Sequence, residues 1–325
     1  MSYYGLNEID IYHVKKKLAR QDSFLKSNVI EDKLSGNITP LKDIVFSAYH
    51  NPTRYYSEIQ NRVNTLMEYA KEKNLKPLFM TLTLPSKYHR LRMIKSGMFK
   101  DNPKYEGFTP AEAKKELTKM FARLRQDRSL KELSKDERVY FRITEPHEDG
   151  TPHTHILLLV PEDRVDRIEE AYNRLFRQNA KVNDIQKITS KINSAVGYIM
   201  KYINKTLPLS KKESLTPKEE HLHYWYSAHR ITRFNSSNSL APICIYRKVY
   251  ENLSLKALTK VYKQKELQIS QDIDTRAILE IQDKITGVIY YQKNINITLY
   301  DEQSNRRTIN IKALNNLTKR ALEAA

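Results

Sequence analysis

The sequence predicts a mixed α+β fold in which antiparallel strands are covered by amphipathic helices. Three observations carry that prediction. Residues 138–160 read as strand, turn, strand around Glu148-Asp149-Gly150, and Asp-Gly is a strong hairpin signal because glycine accepts positive φ. Leu78 to Leu84 alternates between an apolar set and a threonine-bearing set, which is the period of a strand. The segments between and after these carry apolar residues at three- and four-residue spacing, the period of a helix.

Taken in order, residues 1–50 are mixed and charged, with helical pieces around Ile11–Leu18, and are assigned as an N-terminal extension. Residues 55–73 form a helix, with Ile59, Val63, Leu66 and Met67 on one side and Asn74 and Pro77 closing it. The strand at 78–84 puts Leu78, Met80, Leu82 and Leu84 on one face and Phe79, Thr81 and Thr83 on the other. That threonine face either borders a polar site or makes ordinary cross-strand contacts. Residues 86–108 read as a basic loop in which Lys87, Arg90, Arg92 and Lys100 are interleaved with Tyr88 and Tyr105. Such a mixture suits the phosphates and base faces of single-stranded DNA, or is simply a solvated charged loop.

Pro110 to Arg128 is a helix with Thr109 as its N-cap. Arg138 to Thr144 is the first strand of the hairpin, and Ile156 to Val160, dense in large apolar residues, is expected to be buried on both faces. Helices follow at 164–179 and 189–205, the second with a buried stripe of Ile192, Val196, Ile199 and Ile203. A charged linker at 210–220 leads to His221, His223, Tyr224, Trp225, Tyr226 and His229, which either stack on bases or anchor a core strand. Residues 230–239 are a polar loop whose Arg230 and Arg233 suit phosphates. Ile243-Cys244-Ile245 reads as a strand that buries Cys244. A helix at 248–268, strands at 277–281, 288–292 and 295–300, and a basic helix at 313–324 complete a C-terminal module. The expected division is an extension (1–50), a catalytic domain (51–245) and an accessory module (246–325).

The chain has 325 residues and a formal net charge of +18, with a pI of about 9.6. That balance favours a polyanionic partner, nucleic acid ahead of an anionic membrane. No apolar run is long enough to cross a membrane, and residues 1–8 lack the apolar core of a signal peptide. One cysteine excludes an internal disulfide framework and a multi-cysteine zinc site. No glycine-rich loop precedes a lysine in the manner of an ATP-binding loop. A reducing cytoplasm fits this inventory.

Two features carry chemistry. His153 and His155, two apart on a strand, share a face. If Pro146 pairs with Pro152 across the turn, Glu145 lies opposite His153, and the three side chains converge about 5 Å apart. Two imidazoles and a carboxylate make a divalent metal site with open positions. His147 competes with Glu145 for the third place. The ligand set alone leans towards Mn²⁺ or Zn²⁺. The second feature is Tyr198 and Tyr202, one helical turn apart, with Lys201 and Lys205 beside them rather than leucines. A Lewis acid, two tyrosine hydroxyls and a strongly basic chain suit one reaction, transesterification at a DNA phosphodiester.

Phe79 to Leu84, then Gly150 to Leu158 with its His-Thr-His, then Gly197-Tyr198-Ile199-Met200-Lys201-Tyr202-Ile203-Asn204-Lys205 resemble, in this order, the three motifs of HUH endonucleases, specifically the two-tyrosine rolling-circle initiators of phages. The likeness spans residues 78–205. It departs from the family at Thr154, where the middle residue is usually large and hydrophobic, although alternation points that side chain away from the metal. The resemblance implies a five-stranded antiparallel sheet with flanking helices, an RRM-like palm. It implies Mg²⁺ or Mn²⁺ held by His153 and His155, with Glu145 resting on the hairpin geometry as well. Tyr198 and Tyr202 would be nucleophiles, and Lys201 and Lys205 would neutralise phosphate. The implied activity is nicking of a replication origin in a bacterial host, leaving a 5′-phosphotyrosine and a 3′-hydroxyl primer. Single-stranded DNA or an origin hairpin, a host helicase and a polymerase would be the partners. Lys87, Arg90, Arg230 and Arg233 are the candidate DNA contacts. A transposase, a plasmid relaxase-like protein, a non-catalytic basic DNA-binding protein and a zinc hydrolase are the alternatives.

Overall fold

In the computed structural model the described residues are 3–31, 38–95, 98–177, 184–187, 192–208, 214–237, 240–250, 253–274, 276–293, 298–300 and 306–308. The chain divides into two compact units, residues 1–14 with 66–239 and residues 15–65 with 240–325.

The first unit is built on a five-stranded antiparallel sheet. Its strands lie in the order Asp184–Lys187, Lys76–Leu82, Pro152–Val160, Val139–Pro146, Phe234–Ser236. The central hairpin takes the register expected from its turn, with Pro146 opposite Pro152, Glu145 opposite His153 and Ile143 opposite His155. Gly150 makes the turn at φ +85°, and a Cβ there would meet the Tyr4 carbonyl oxygen at 2.2 Å, so the position admits only glycine. Alternation divides the sheet into two unlike faces. Leu78, Met80, Leu82, Ile156, Leu158 and Val160 pack against Leu117, Phe121 and Leu124 of the helix Pro110–Gln126 and against Ile168 and Tyr172 of the helix Val165–Tyr172. The opposite face carries Phe79, Thr81, Glu145, His153 and His155, and this is where the helix Ile192–Thr206 lies, its Lys205 paired to Glu145 and its Tyr202 ring beside His155. All nine residues of the strand Pro152–Val160 are buried.

The second unit holds a three-stranded antiparallel sheet of Leu267–Gln271, Ile278–Asp283 and Ile289–Gln292. A four-stranded sheet of Arg306–Thr308, Thr298–Tyr300, Val29–Glu31 and Ile38–Pro40 accompanies it. Among the ion pairs within this unit, Arg247 Nε meets the fully buried Glu58 at 2.7 Å.

Several expectations are corrected. The N-terminal helix is longer than the pieces seen in sequence, running Glu8–Ser27. Residues 86–108 are not an unstructured loop, since they contain a two-stranded hairpin, Leu91–Lys95 with Met98–Asp101. The aromatic cluster at 221–229 lies on a helix, Pro217–His229, because Thr216 and Glu219 form a reciprocal cap and Pro217 opens the first turn. Cys244 sits on a helix, Ile243–Val249, and is exposed. The single helix expected at 248–268 is replaced by the end of that helix, a second helix Leu255–Lys263 started by the Ser254 cap, and a strand from Leu267. Lys265, at φ +57°, makes the reversal between the last two. The basic helix expected at 313–324 lies outside the described residues.

Candidate active site

The register of the hairpin assembles the site. His153 Nε2 and His155 Nε2 lie 3.1 Å apart, and Glu145 Oε2 is 3.7 Å from the first and 3.8 Å from the second. One ligand atom from each residue falls within 4.8 Å of the others. Thr81 Oγ1 sits 3.0 Å from His155 Nδ1, so that nitrogen can carry its proton towards threonine and leave Nε2 as a lone pair facing the site. Burial drives both imidazoles towards the neutral form. His153 is held well below the usual histidine value, first by desolvation and then by His147. His155 is lowered to about 3, again first by desolvation and then by Lys205. Burial pushes the Glu145 carboxyl up, opposed by Lys205, whose Nζ lies 2.8 Å from Oε2.

These residues fit a divalent cation. Each neutral imidazole brings one N–H and one lone pair, and an ionised Glu145 beside them adds acceptors only, so the set has more lone pairs than protons to fill them. Glu145 Oε1 and His153 Nδ1 are buried without hydrogen-bond partners, and buried polar atoms left in that state are costly unless something pairs with them. His147 lies beside this set, its ring 4.2 Å from that of His153 and its pKa lowered to about 4, chiefly by burial and then by His89.

The helix Ile192–Thr206 lays its two tyrosines against the same site. Among its described residues Ala195, Ile199, Ile203 and Thr206 are fully buried. Tyr202 stands over His155 with ring centroids 4.0 Å apart. Tyr198 meets Phe79 edge-on at 4.4 Å, and Phe79 also stacks on Tyr202 at 5.5 Å. The Tyr202 hydroxyl donates to that of Tyr198 across 3.4 Å. The tyrosines thus share an aromatic cluster with Phe79 at the imidazole pair. Lys201 is exposed, its Nζ 5.9 Å from the Tyr202 ring centroid.

The four basic candidates are placed differently. Lys87 is half-buried and paired with Glu106 at 3.1 Å. Arg90 is exposed beside a small cavity lined by Tyr88, Tyr105 and Phe108. Arg230 is the exposed left-handed cap of the helix Pro217–His229. Arg233 is only 5% exposed, its guanidinium 2.8 Å from His223 Nδ1 and over the Tyr226 ring, so it presents little to a ligand. Thr154 does point away from the histidines, its hydroxyl 3.3 Å from that of Thr144, to which Lys114 donates at 2.6 Å. Sequence reasoning missed two supports. Phe79 is one, and its signal was its place on the threonine face of its strand. His89, 3.2 Å from Asp149 Oδ2, ties the segment before the 91–101 hairpin to the turn that starts the histidine strand, and no local pattern announces it.

Residues 7–209 match the family described as bacteriophage replication gene A protein. A "Replication protein" of Haemophilus phage HP1 is 30% identical over 266 residues, 74% of this chain and 32% of its own length. A "Replication gene A protein" of Escherichia phage 186 is 29% identical over 270 residues, covering 76% and 37%. A "Probable replication endonuclease from prophage-like region" of Salmonella paratyphi A is 25% identical over 244 residues, covering 69% and 29%. The chain therefore spans roughly a third of the length of the curated relatives it matches. No solved structure matches it.

Proposed function

The chain belongs to the bacteriophage replication gene A protein family, and from that premise we propose that it is a two-tyrosine HUH endonuclease that nicks single-stranded DNA at a replication origin. The observation that carries the reading is the meeting of the Tyr202 and His155 rings at 4.0 Å on the sheet face that holds Glu145 and His153. Bound there, Mg²⁺ or Mn²⁺ would take up the charge that develops on the non-bridging phosphate oxygens. Glu145, His153 and His155 would hold the cation, and Thr81 would fix the His155 tautomer. The attacking tyrosine loses its hydroxyl proton as the bond from Oη to phosphorus forms. The bond from phosphorus to O3′ breaks, and O3′ gains a proton as a free 3′-hydroxyl. One diester is exchanged for another, so the 5′-phosphotyrosine can be resealed without ATP. Lys201 and Lys205 would neutralise the phosphate. The freed 3′-hydroxyl is the primer that a host polymerase would extend, with a host helicase opening the duplex ahead of it.

The test is incubation with circular single-stranded DNA and Mn²⁺, followed by denaturing electrophoresis. A covalent adduct that disappears in Tyr198→Phe/Tyr202→Phe supports the proposal. Salt-sensitive binding without any adduct would make the chain a non-catalytic DNA binder, and an adduct that survives the double change would remove the tyrosines from the chemistry.

A further inference from the structure

Among the described residues the strands Leu91–Lys95 and Met98–Asp101 pair only with each other. Apart from half-buried Leu91, every residue in them is exposed. Met93 and Phe99 face one another in the ladder at 66% and 43% exposure, with Ile94 at 46% and Met98 at 58% close by. A protein surface scatters apolar residues singly, and a cluster of them on an exposed hairpin marks an interaction site. The adjoining pair is Arg92 opposite Lys100. Like charges directly opposite one another destabilise a two-stranded ladder, and among the described residues neither cation has an acidic partner. An isolated hairpin is marginal in water even without such a pair. Met93 and Phe99 on one face, with the unpaired cations Arg92 and Lys100 on the other, suit a polymer with anionic edges and a stack of flat apolar rings.

The root of this finger is fixed to the active-site turn. Asn102 donates to the carbonyls of Ser86 and His89, both at 2.7 Å. His89 meets Asp149 at 3.2 Å, and Thr151 Oγ1 donates to the Tyr88 carbonyl at 3.1 Å. Asp149 and Thr151 flank Gly150, just ahead of His153.

We propose that this finger is a strand-separating wedge. Met93 and Phe99 insert at a base step of duplex DNA next to its junction with single strand, while Arg92 and Lys100 hold the adjacent phosphates. Methionine, isoleucine and phenylalanine are the side chains that unstack base steps in this way, whereas a surface made only for single strands relies on aromatic platforms. The inference deepens the nicking proposal, because a tyrosine that attacks single-stranded DNA needs a paired origin opened beside it.

The probe is a forked oligonucleotide, a short duplex with a single-stranded tail, carrying 2-aminopurine at the last paired position. Wild-type protein should raise its fluorescence severalfold on binding. Met93→Ser/Phe99→Ser should bind the fork within about threefold, by anisotropy, yet lose the rise, while its thermal unfolding stays at the wild-type temperature. Arg92→Ala/Lys100→Ala should flatten the dependence of log affinity on log salt by about 1.8, the slope expected for two phosphate contacts. No rise with wild-type protein, or a rise that survives in the serine variant, overturns the wedge. So does a serine variant altered only in binding to phosphatidylglycerol vesicles, which would make the finger a membrane anchor. The adduct assay on single-stranded circles reads the nicking proposal separately, and there the serine variant should match wild type. Wild-type protein that opens forks but forms no adduct would remove the nicking proposal and leave the wedge standing.

Discussion

The first unit contains two antiparallel hairpins that the chain treats in opposite ways. The hairpin of Val139–Pro146 and Pro152–Val160 is sandwiched between helices, and its second strand is buried throughout. The hairpin of Leu91–Lys95 and Met98–Asp101 shares the same ladder chemistry and buries almost nothing. In the first, neighbours on both faces fix every side chain, so three polar groups can be held in one geometry although each is costly to bury. In the second, nothing but its root is fixed, so the side chains are free to meet a partner. The contrast shows that a ladder of hydrogen bonds confers neither rigidity nor function by itself. What covers its faces decides both.

The sharpest way to break the contrast is at the buried hairpin's polar end. His153→Ala should abolish covalent adduct formation on single-stranded DNA while the unfolding temperature moves by only a few degrees, because on the reading proposed above it removes a metal ligand and leaves the apolar face of the sheet intact. A loss of folding instead would make the imidazole a structural group. On the apolar side of the same strand, Leu158→Ala should cost about 2–5 kcal/mol in urea unfolding, since Leu158 is 1% exposed in a closed core. A smaller effect comes from Thr81→Val. Losing the hydroxyl that faces His155 Nδ1 should weaken Mn²⁺ binding by about 10–100-fold, read by titration calorimetry, with the fold intact. The smallest belongs to the exposed hairpin. Met93→Ala should change stability by less than about 0.5 kcal/mol, because its side chain packs on little. A cost near that of Leu158→Ala would show that the finger is a packed element and dissolve the comparison.

The same contrast explains what could be read in the sequence. The buried hairpin was legible to the residue, because Asp149-Gly150 fixes the turn and two-residue alternation then fixes every partner. Glu145 could therefore be set opposite His153, and Thr154 turned away, with no structure at hand. The tyrosine helix was legible because its aliphatic stripe left Tyr198 and Tyr202 a different face. The exposed hairpin was not. It buries neither side, so no apolar and polar alternation exists to betray it, and the register shift between Met93 and Lys95 breaks what period remains. Arg233 looked like a phosphate contact because sequence shows charge and not burial; its stacking on Tyr226 comes from a helix 217–229 that the clustered aromatics disguised. There the Thr216-Pro217 start with Glu219 was the stronger signal. The Ile-Cys-Ile-Tyr run misled in the opposite direction, since four residues alternating by chance are too few to separate a strand from the helix Ile243–Val249.

The two phenolic oxygens stand 3.4 Å apart on one helix of one polypeptide. Were one of them esterified as proposed above, its twin would stand within a hydrogen bond's reach of it. A cycle of cutting and closing run from such a doublet would be self-sufficient, with no sister subunit required to lend the other hydroxyl.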